Sequence, residues 1–258
     1  MTRASRHQNW LRTPRLRALA GAAAVFAAAL AGGLAASATA ERADVLGKTR
    51  TAPRPACPDK PRTEGTECQI TGQVTGYQRS VDGKANLFKA PSNGRIVAWS
   101  VDLAKPSKKE RKVFGEAAAT DEFGESPTAG ISVLRKKRNG EFRLQRSSPV
   151  LEVQSHYGTQ PIFTLRQPLH INKGNIVALT TTTWLPAFAF KGQGRDDVWV
   201  ASRNRQNCEV PNSVPADERL DYFFAHTKPH RNVGSERKYQ CEYDNARLLY
   251  WAYFVPGG

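Results

Sequence analysis

From Cys68 to its end the chain sets its apolar residues in short runs, nearly all closed by glycine, proline, asparagine or a cluster of charges. A long helix needs apolar positions three and four apart over many residues, and that spacing is almost missing here. Gly94–Val101 reads GRIVAWSV, a strand. Ile131–Leu134 and Phe142–Gln145 flank a loop that holds Asn139-Gly140, which predicts a β-hairpin. Pro161–Leu165 alternates. Leu169–Ile171 and Asn175–Thr183 make two further strands around an Asn172-Lys173-Gly174 turn, and the threonine run suits a pleated surface better than a helix. Val198–Ser202 and Asp221–Phe224 are shorter candidates. Arg247–Val255, rich in Leu, Tyr, Trp and Phe, closes the chain as a core strand ended by Pro256.

One helix is expected. Ser107 with Glu110 three residues on forms a capping box, and Val113, Phe114, Ala117 and Ala118 then share a face, although Gly115 weakens it. Many short strands, one short inserted helix and no internal repeat predict an all-β fold over residues 68–258. Its expected form is an antiparallel, jelly-roll-like β-sandwich. Trp99 and Trp251 belong to its core.

Upstream, Met1–Arg17 carries five arginines and no acid, and Ala18–Ala40 is 23 residues without a charge, closing on Ala38-Thr39-Ala40. This is the layout of a secretory signal peptide over residues 1–40, cut after Ala40. The rival reading is an uncleaved N-terminal anchor, since a membrane span needs about 20 apolar residues. Either way the C-terminal part is exported, to a secreted, extracellular or cell-envelope location, and only the anchor would involve a membrane. Residues 41–67 hold Pro53, Pro55, Pro58 and Pro61 among charges and read as a disordered linker.

Export places Cys57, Cys68, Cys208 and Cys241 in an oxidising space, where an even count predicts two disulfides. Three pairings are open. The pairs nearest in sequence, Cys57–Cys68 and Cys208–Cys241, are favoured.

Three pieces carry a resemblance: the strand ending in Trp99-Ser100-Val101, the strand Ile131–Arg135, and Leu169–Leu179 with its lysine-glycine turn. They resemble uncharacterised exported bacterial β-sandwich proteins of jelly-roll type. The strand–turn–strand unit is similar to one found in sugar-binding sandwiches, which often carry aspartate after that glycine where this chain has Asn175. The resemblance implies a fold and brings no catalytic residues.

The chain holds 38 Lys and Arg against 23 acids. Without the five leader arginines the net charge is +10. Such an excess favours anionic partners. The densest run, Lys108–Lys112, is broken by Glu110, and Arg135–Arg138 looks like a solvated hairpin tip. Neither interleaves exposed aromatics as nucleic-acid readers do, so no nucleic-acid partner is expected.

No nucleophile elbow or triad is legible, and no catalytic residue is assigned. His226 and His230 lie four apart, but Pro229 breaks the helix that would align them, so a polar loop is expected and no metal site. No cofactor is expected. A set of aromatics does point to binding. Trp184, Trp199 and Tyr222, with Arg195, Asp197 and Asn204, could form a stacking platform for sugar rings, core packing of the tryptophans being the alternative. The expected function is non-catalytic binding of carbohydrate or an anionic envelope polymer. The alternatives are a glycan hydrolase using a pair among Glu152, Asp196, Asp197, Glu218 and Asp221, or a structural or adhesive surface protein.

Overall fold

In the computed structural model, residues 43–50, 53–55, 68–190 and 196–257 are described. They build a mostly β, antiparallel fold. In chain order the elements are β1 (Asp44–Leu46), β2 (Thr71–Val81), β3 (Lys84–Ala85), β4 (Gly94–Val101), α1 (Lys108–Ala118), β5 (Thr128–Lys136) and β6 (Glu141–Ser147). β7 (Leu151–Glu152), β8 (Ile162–Ile171), β9 (Ile176–Leu185), β10 (Phe188–Phe190) and β11 (Val198–Ala201) follow. The chain ends with α2 (Arg219–Ala225), β12 (Glu236–Lys238), β13 (Cys241–Asp244), β14 (Ala246–Leu248) and β15 (Tyr250–Pro256).

β1, β15, β4 and β8 form one sheet in that order; β10 pairs with β14. The largest sheet runs β12-β6-β5-β9-β2-β11-β13, with β3 on β2 and β7 on β5. β12 and β13 stand at opposite ends of that order, yet only Tyr239 and Gln240 separate them. Three Cα steps reach about 11 Å. The sheet therefore curls until its two edges nearly meet. Tyr239 N–H donates to the Gly140 carbonyl and Gln240 N–H to that of Arg203, which ties the two edges directly.

Period-two alternation sorts side chains between the faces of the curled sheet. Val74, Ile131, Val133, Val177, Leu179 and Trp199 share one core with Ile96, Trp99, Val101, Tyr250 and Phe254 of the four-stranded sheet. On the other side, Tyr77, Leu134, Phe142, Leu144, Ala178, Val200 and Tyr239 pack inside the curl. β9 is consequently covered on both sides, and its threonines are as buried as its leucines. Each large apolar side chain fully buried contributes roughly 1.5–3 kcal/mol.

The strands β4, β5, β6 and β9 lie where the sequence expects them, and Asn139 and Gly140 both take positive φ at the hairpin turn. Ser107 and Glu110 form the reciprocal capping box on α1. Trp99 is fully buried and stacks on Phe163 at 4.5 Å, and Trp251 is buried with Ala189 and Leu249. Cys208 and Cys241 are joined as a disulfide. Cys68 is also disulfide-bonded, while Cys57 lies outside the described residues, as does the expected signal.

Three expectations are corrected. Asp221–Phe224 is helix, not strand, so two α-helices are present among the described residues. The aromatic run that suggested a strand turns helical because Phe224 docks over Gly72, whose missing Cβ leaves room for the ring. Asp44–Leu46, assigned to a disordered linker, is an edge strand on β15 with Leu46 in the core. The two segments expected around Arg166–Pro168 merge into β8, an edge strand where proline loses no ladder bond. His170 is exposed on that edge.

Candidate functional site

A cavity of about 570 Å³ opens beside α1. Lys108, Arg111 and Lys112 of the helix form one wall, Ser126, Gln154 and Ser155 contribute polar groups, and Tyr157 and Trp184 form the floor. Among the described residues, Glu125 is the single carboxylate in the lining.

The helix reaches this position by local means. Ser107 Oγ accepts from Glu110 N–H at 3.2 Å, and Ser107 N–H donates to Glu110 Oε2 at 2.7 Å. The other oxygen, Oε1, accepts from Cys68 N–H at 3.1 Å, tying the helix start to the approach to β2. Burial pushes the Glu110 carboxyl up, but the hydrogen bonds from Ser107 and Cys68 outweigh it and hold it below its ordinary value. Gly115 lets α1 approach the neighbouring segment: a Cβ there would come within 2.9 Å of Glu125 Cβ.

Glu110 keeps its charge, but its oxygens are committed to the Ser107 and Cys68 N–H groups at the helix start. Lys108, Lys109, Arg111 and Lys112 crowd the first turns, where the helix dipole disfavours positive charge, and Lys108 faces Lys112 one turn on. A local arrangement that works against stability is the kind found where function demands it. Of the three wall cations, Lys112 alone has an ion pair among the described residues, 3.7 Å to Glu116.

The floor is packed and partly polar. Arg111 lies over the Tyr157 ring at 5.4 Å, a cation–π contact. Burial pushes the Tyr157 hydroxyl up to about 12, against the pull of Arg111, so it stays protonated. Trp184 Nε1–H donates to the Glu125 carbonyl at 2.8 Å, and Phe114 and Tyr157 pack against the indole at 5.5 and 6.2 Å.

The residues expected as a platform do not gather into one. Trp184 is 1% exposed and offers the cavity floor no open ring face. Trp199 is 5% exposed, stacked on Tyr243 at 4.7 Å within the main core. Both indoles follow the core-packing alternative. Tyr222 lies on α2 and stacks on His226 at 3.9 Å. Asp197 is buried and accepts from Asp82 N–H at 2.7 Å, a structural role. Asn204 is exposed at the start of a single helical turn at Arg205–Asn207. Arg195 lies outside the described residues.

Sequence reading missed Lys108, Arg111, Lys112 and Tyr157. The signal was present in two halves: a run of cations read as broken by Glu110, and a capping box that commits the same glutamate elsewhere. Among the described residues no three His, Cys, Asp or Glu side chains group to hold a metal. His226 Nδ1 lies 2.8 Å from the Tyr222 carbonyl. His230 is buried, with Nδ1 3.2 Å from Tyr239 Oη and Nε2 3.0 Å from Ser235 Oγ.

No family model, curated protein or solved structure matches the chain.

Proposed function

We propose that the chain is an exported protein whose sheets stack as a jelly-roll-like sandwich and which binds an anionic carbohydrate or other anionic envelope polymer in the α1 cavity, without catalysis. The observation that carries this reading is the wall of Lys108, Arg111 and Lys112 over an aromatic floor, built on a helix start where those charges work against local stability. Cations would meet carboxylates or phosphates of the polymer. The edge of Tyr157, with Ser126, Gln154 and Ser155, would meet its apolar and hydroxyl surfaces. A hydrolase needs two facing carboxyl groups, and Glu125 stands alone in this lining, so nothing here favours that alternative.

The test is direct binding of the purified chain to oligogalacturonate, poly(glycerol phosphate) and a neutral glucan. At least one of the two anionic polymers should bind, more weakly as salt rises, because released counterions drive such contacts. Arg111→Glu together with Lys108→Glu should weaken binding by about tenfold or more, each exposed pair being worth roughly 0.2–1 kcal/mol and reversal adding repulsion. Equal affinity for the neutral glucan, or binding indifferent to the charge reversal, would overturn the reading.

A further inference from the structure

A second cavity, of about 290 Å³, lies at the mouth of the curled sheet. Ser132 and Thr180 of its lining belong to a line of buried hydroxyls. Thr75 Oγ1 and Thr180 Oγ1 are 3.0 Å apart, and Thr180 Oγ1 and Ser132 Oγ 2.8 Å apart, one from each of three adjacent strands. The His230 N–H anchors one end, donating to Thr75 Oγ1 at 3.0 Å. At the other end, Ser132 Oγ has no second protein partner among the described residues and borders the cavity. A line of three hydroxyls has three protons and uses two internally. The third leaves either toward the His230 carbonyl, 3.4 Å from Thr75 Oγ1, or from Ser132 into the cavity. In both cases Ser132 keeps hydrogen-bonding capacity facing inward.

The lining carries no net charge. Its one cation and one carboxylate close on each other: Arg231 Nη1 and Nη2 meet Glu122 Oε2 and Oε1 at 2.5 and 3.0 Å, a two-point clasp between the loop before β5 and the loop after α2. His230 offers no base. Burial, and Arg237 nearby, push its imidazole below the ordinary value, against a hydrogen bond to the Ser235 carbonyl, and both ring nitrogens are taken. Ser235 cannot serve as a nucleophile paired with it, since its hydroxyl donates to the Asn232 carbonyl at 2.6 Å. The space is several times the share of one water, about 30 Å³ in the liquid.

We propose that this cavity is a second binding site, for a small neutral polyhydroxylated molecule such as a monosaccharide or polyol, with Ser132 and Thr180 meeting its hydroxyls and the Glu122–Arg231 clasp closing over it. It is independent of the anionic site beside α1. Such a ligand matches a neutral, hydroxyl-rich lining that an ion or an apolar molecule would leave unsatisfied.

Saturation-transfer NMR tests this with the full chain and three probes, methyl α-D-glucoside, myo-inositol and glycerol, each at millimolar concentration. Transfer to at least one probe is expected. Ser147→Phe, at the half-exposed rim and directly opposite Ser132 on the neighbouring strand, should block it by filling the entrance, and thermal melting should show the fold kept. Thr180→Val should weaken it about tenfold, the loss of roughly one good hydrogen bond. Glu122→Gln should speed probe exchange, and Arg111→Ala should change nothing. Transfer to none of the probes, or transfer that survives both Ser147→Phe and Thr180→Val, would overturn the proposal. Transfer lost in Arg111→Ala would do so too, by assigning the probes to the other site.

Discussion

The two faces of the curled sheet are made from the same strands yet hold together differently. Toward the four-stranded sheet, β5 and β9 present Ile131, Val133, Val177 and Leu179 in a chiefly apolar packing, where the Tyr250 hydroxyl donates to the Val177 carbonyl. On the concave side the same strands present Ser132, Thr180 and Ala178, flanked by an aromatic cluster around Tyr77 and Tyr239. The first face is held by shape, where any lost volume leaves a cavity. The second is held by hydrogen-bond closure, where a lost hydroxyl leaves its neighbours unpaired. Burial alone does not reveal this difference, because the residues named on both faces are buried.

The largest effect that tests the contrast lies on the shape-held side. Trp99→Ala removes a fully buried indole and its stack on Phe163, and should lower stability by about 3–5 kcal/mol, read by denaturant melting. Next comes the disulfide. Its partners are 33 residues apart, and replacing both with serine should lose roughly 2–4 kcal/mol. The sharpest comparison is a reciprocal pair. Thr180→Val breaks the hydroxyl line, and Val177→Thr puts an unpartnered hydroxyl into the apolar core. Each should lose about 1–3 kcal/mol although side-chain volume barely changes. If Thr180→Val proved neutral, the concave side would be held by shape as well, and the contrast would be gone.

Much of the fold was legible because strong local signals agreed with their surroundings. β4 reads as a strand from its own residues, and the Asn139-Gly140 hairpin and the Ser107–Glu110 box follow from turn and cap chemistry. α2 was not legible: Asp221–Phe224 reads as a strand by composition, and it is helical because Phe224 finds the space over Gly72, far away in sequence. The curl was hidden for a similar reason. β12 and β13 are too short to announce themselves, and only their pairing partners show that the sheet rolls up. The candidate site was half legible. Aromatic residues at a strand end suggested Trp184, but a tryptophan at the bottom of a cavity and one on an open surface look alike in sequence. What separates them is whether α1, with Phe114, lies across the ring.

The smallest expected effect concerns pH and again divides the two faces. The shape-held core contains tyrosines whose burial keeps them protonated, with Tyr250 the extreme case. The concave side holds His230, whose ordinary value of 6.5 is lowered chiefly by burial and also by Arg237. A histidine lowered in the folded state takes up its proton more readily when unfolded. Stability should therefore be full above pH about 6.5 and fall as the solution is acidified through and below that value. Glu110 adds loss in the same direction but lower, below the ordinary glutamate value of 4.5, because its folded carboxyl is held down by Ser107 and Cys68. Thermal melts from pH 7.5 to 5 should show a small decline in the parent. A His230→Gln variant should be less stable throughout but flat across that range. A parent melt with no slope in that window would mean that the imidazole is free to charge where it sits, and that the concave side tolerates charge which its closed hydrogen-bond network implies it should exclude.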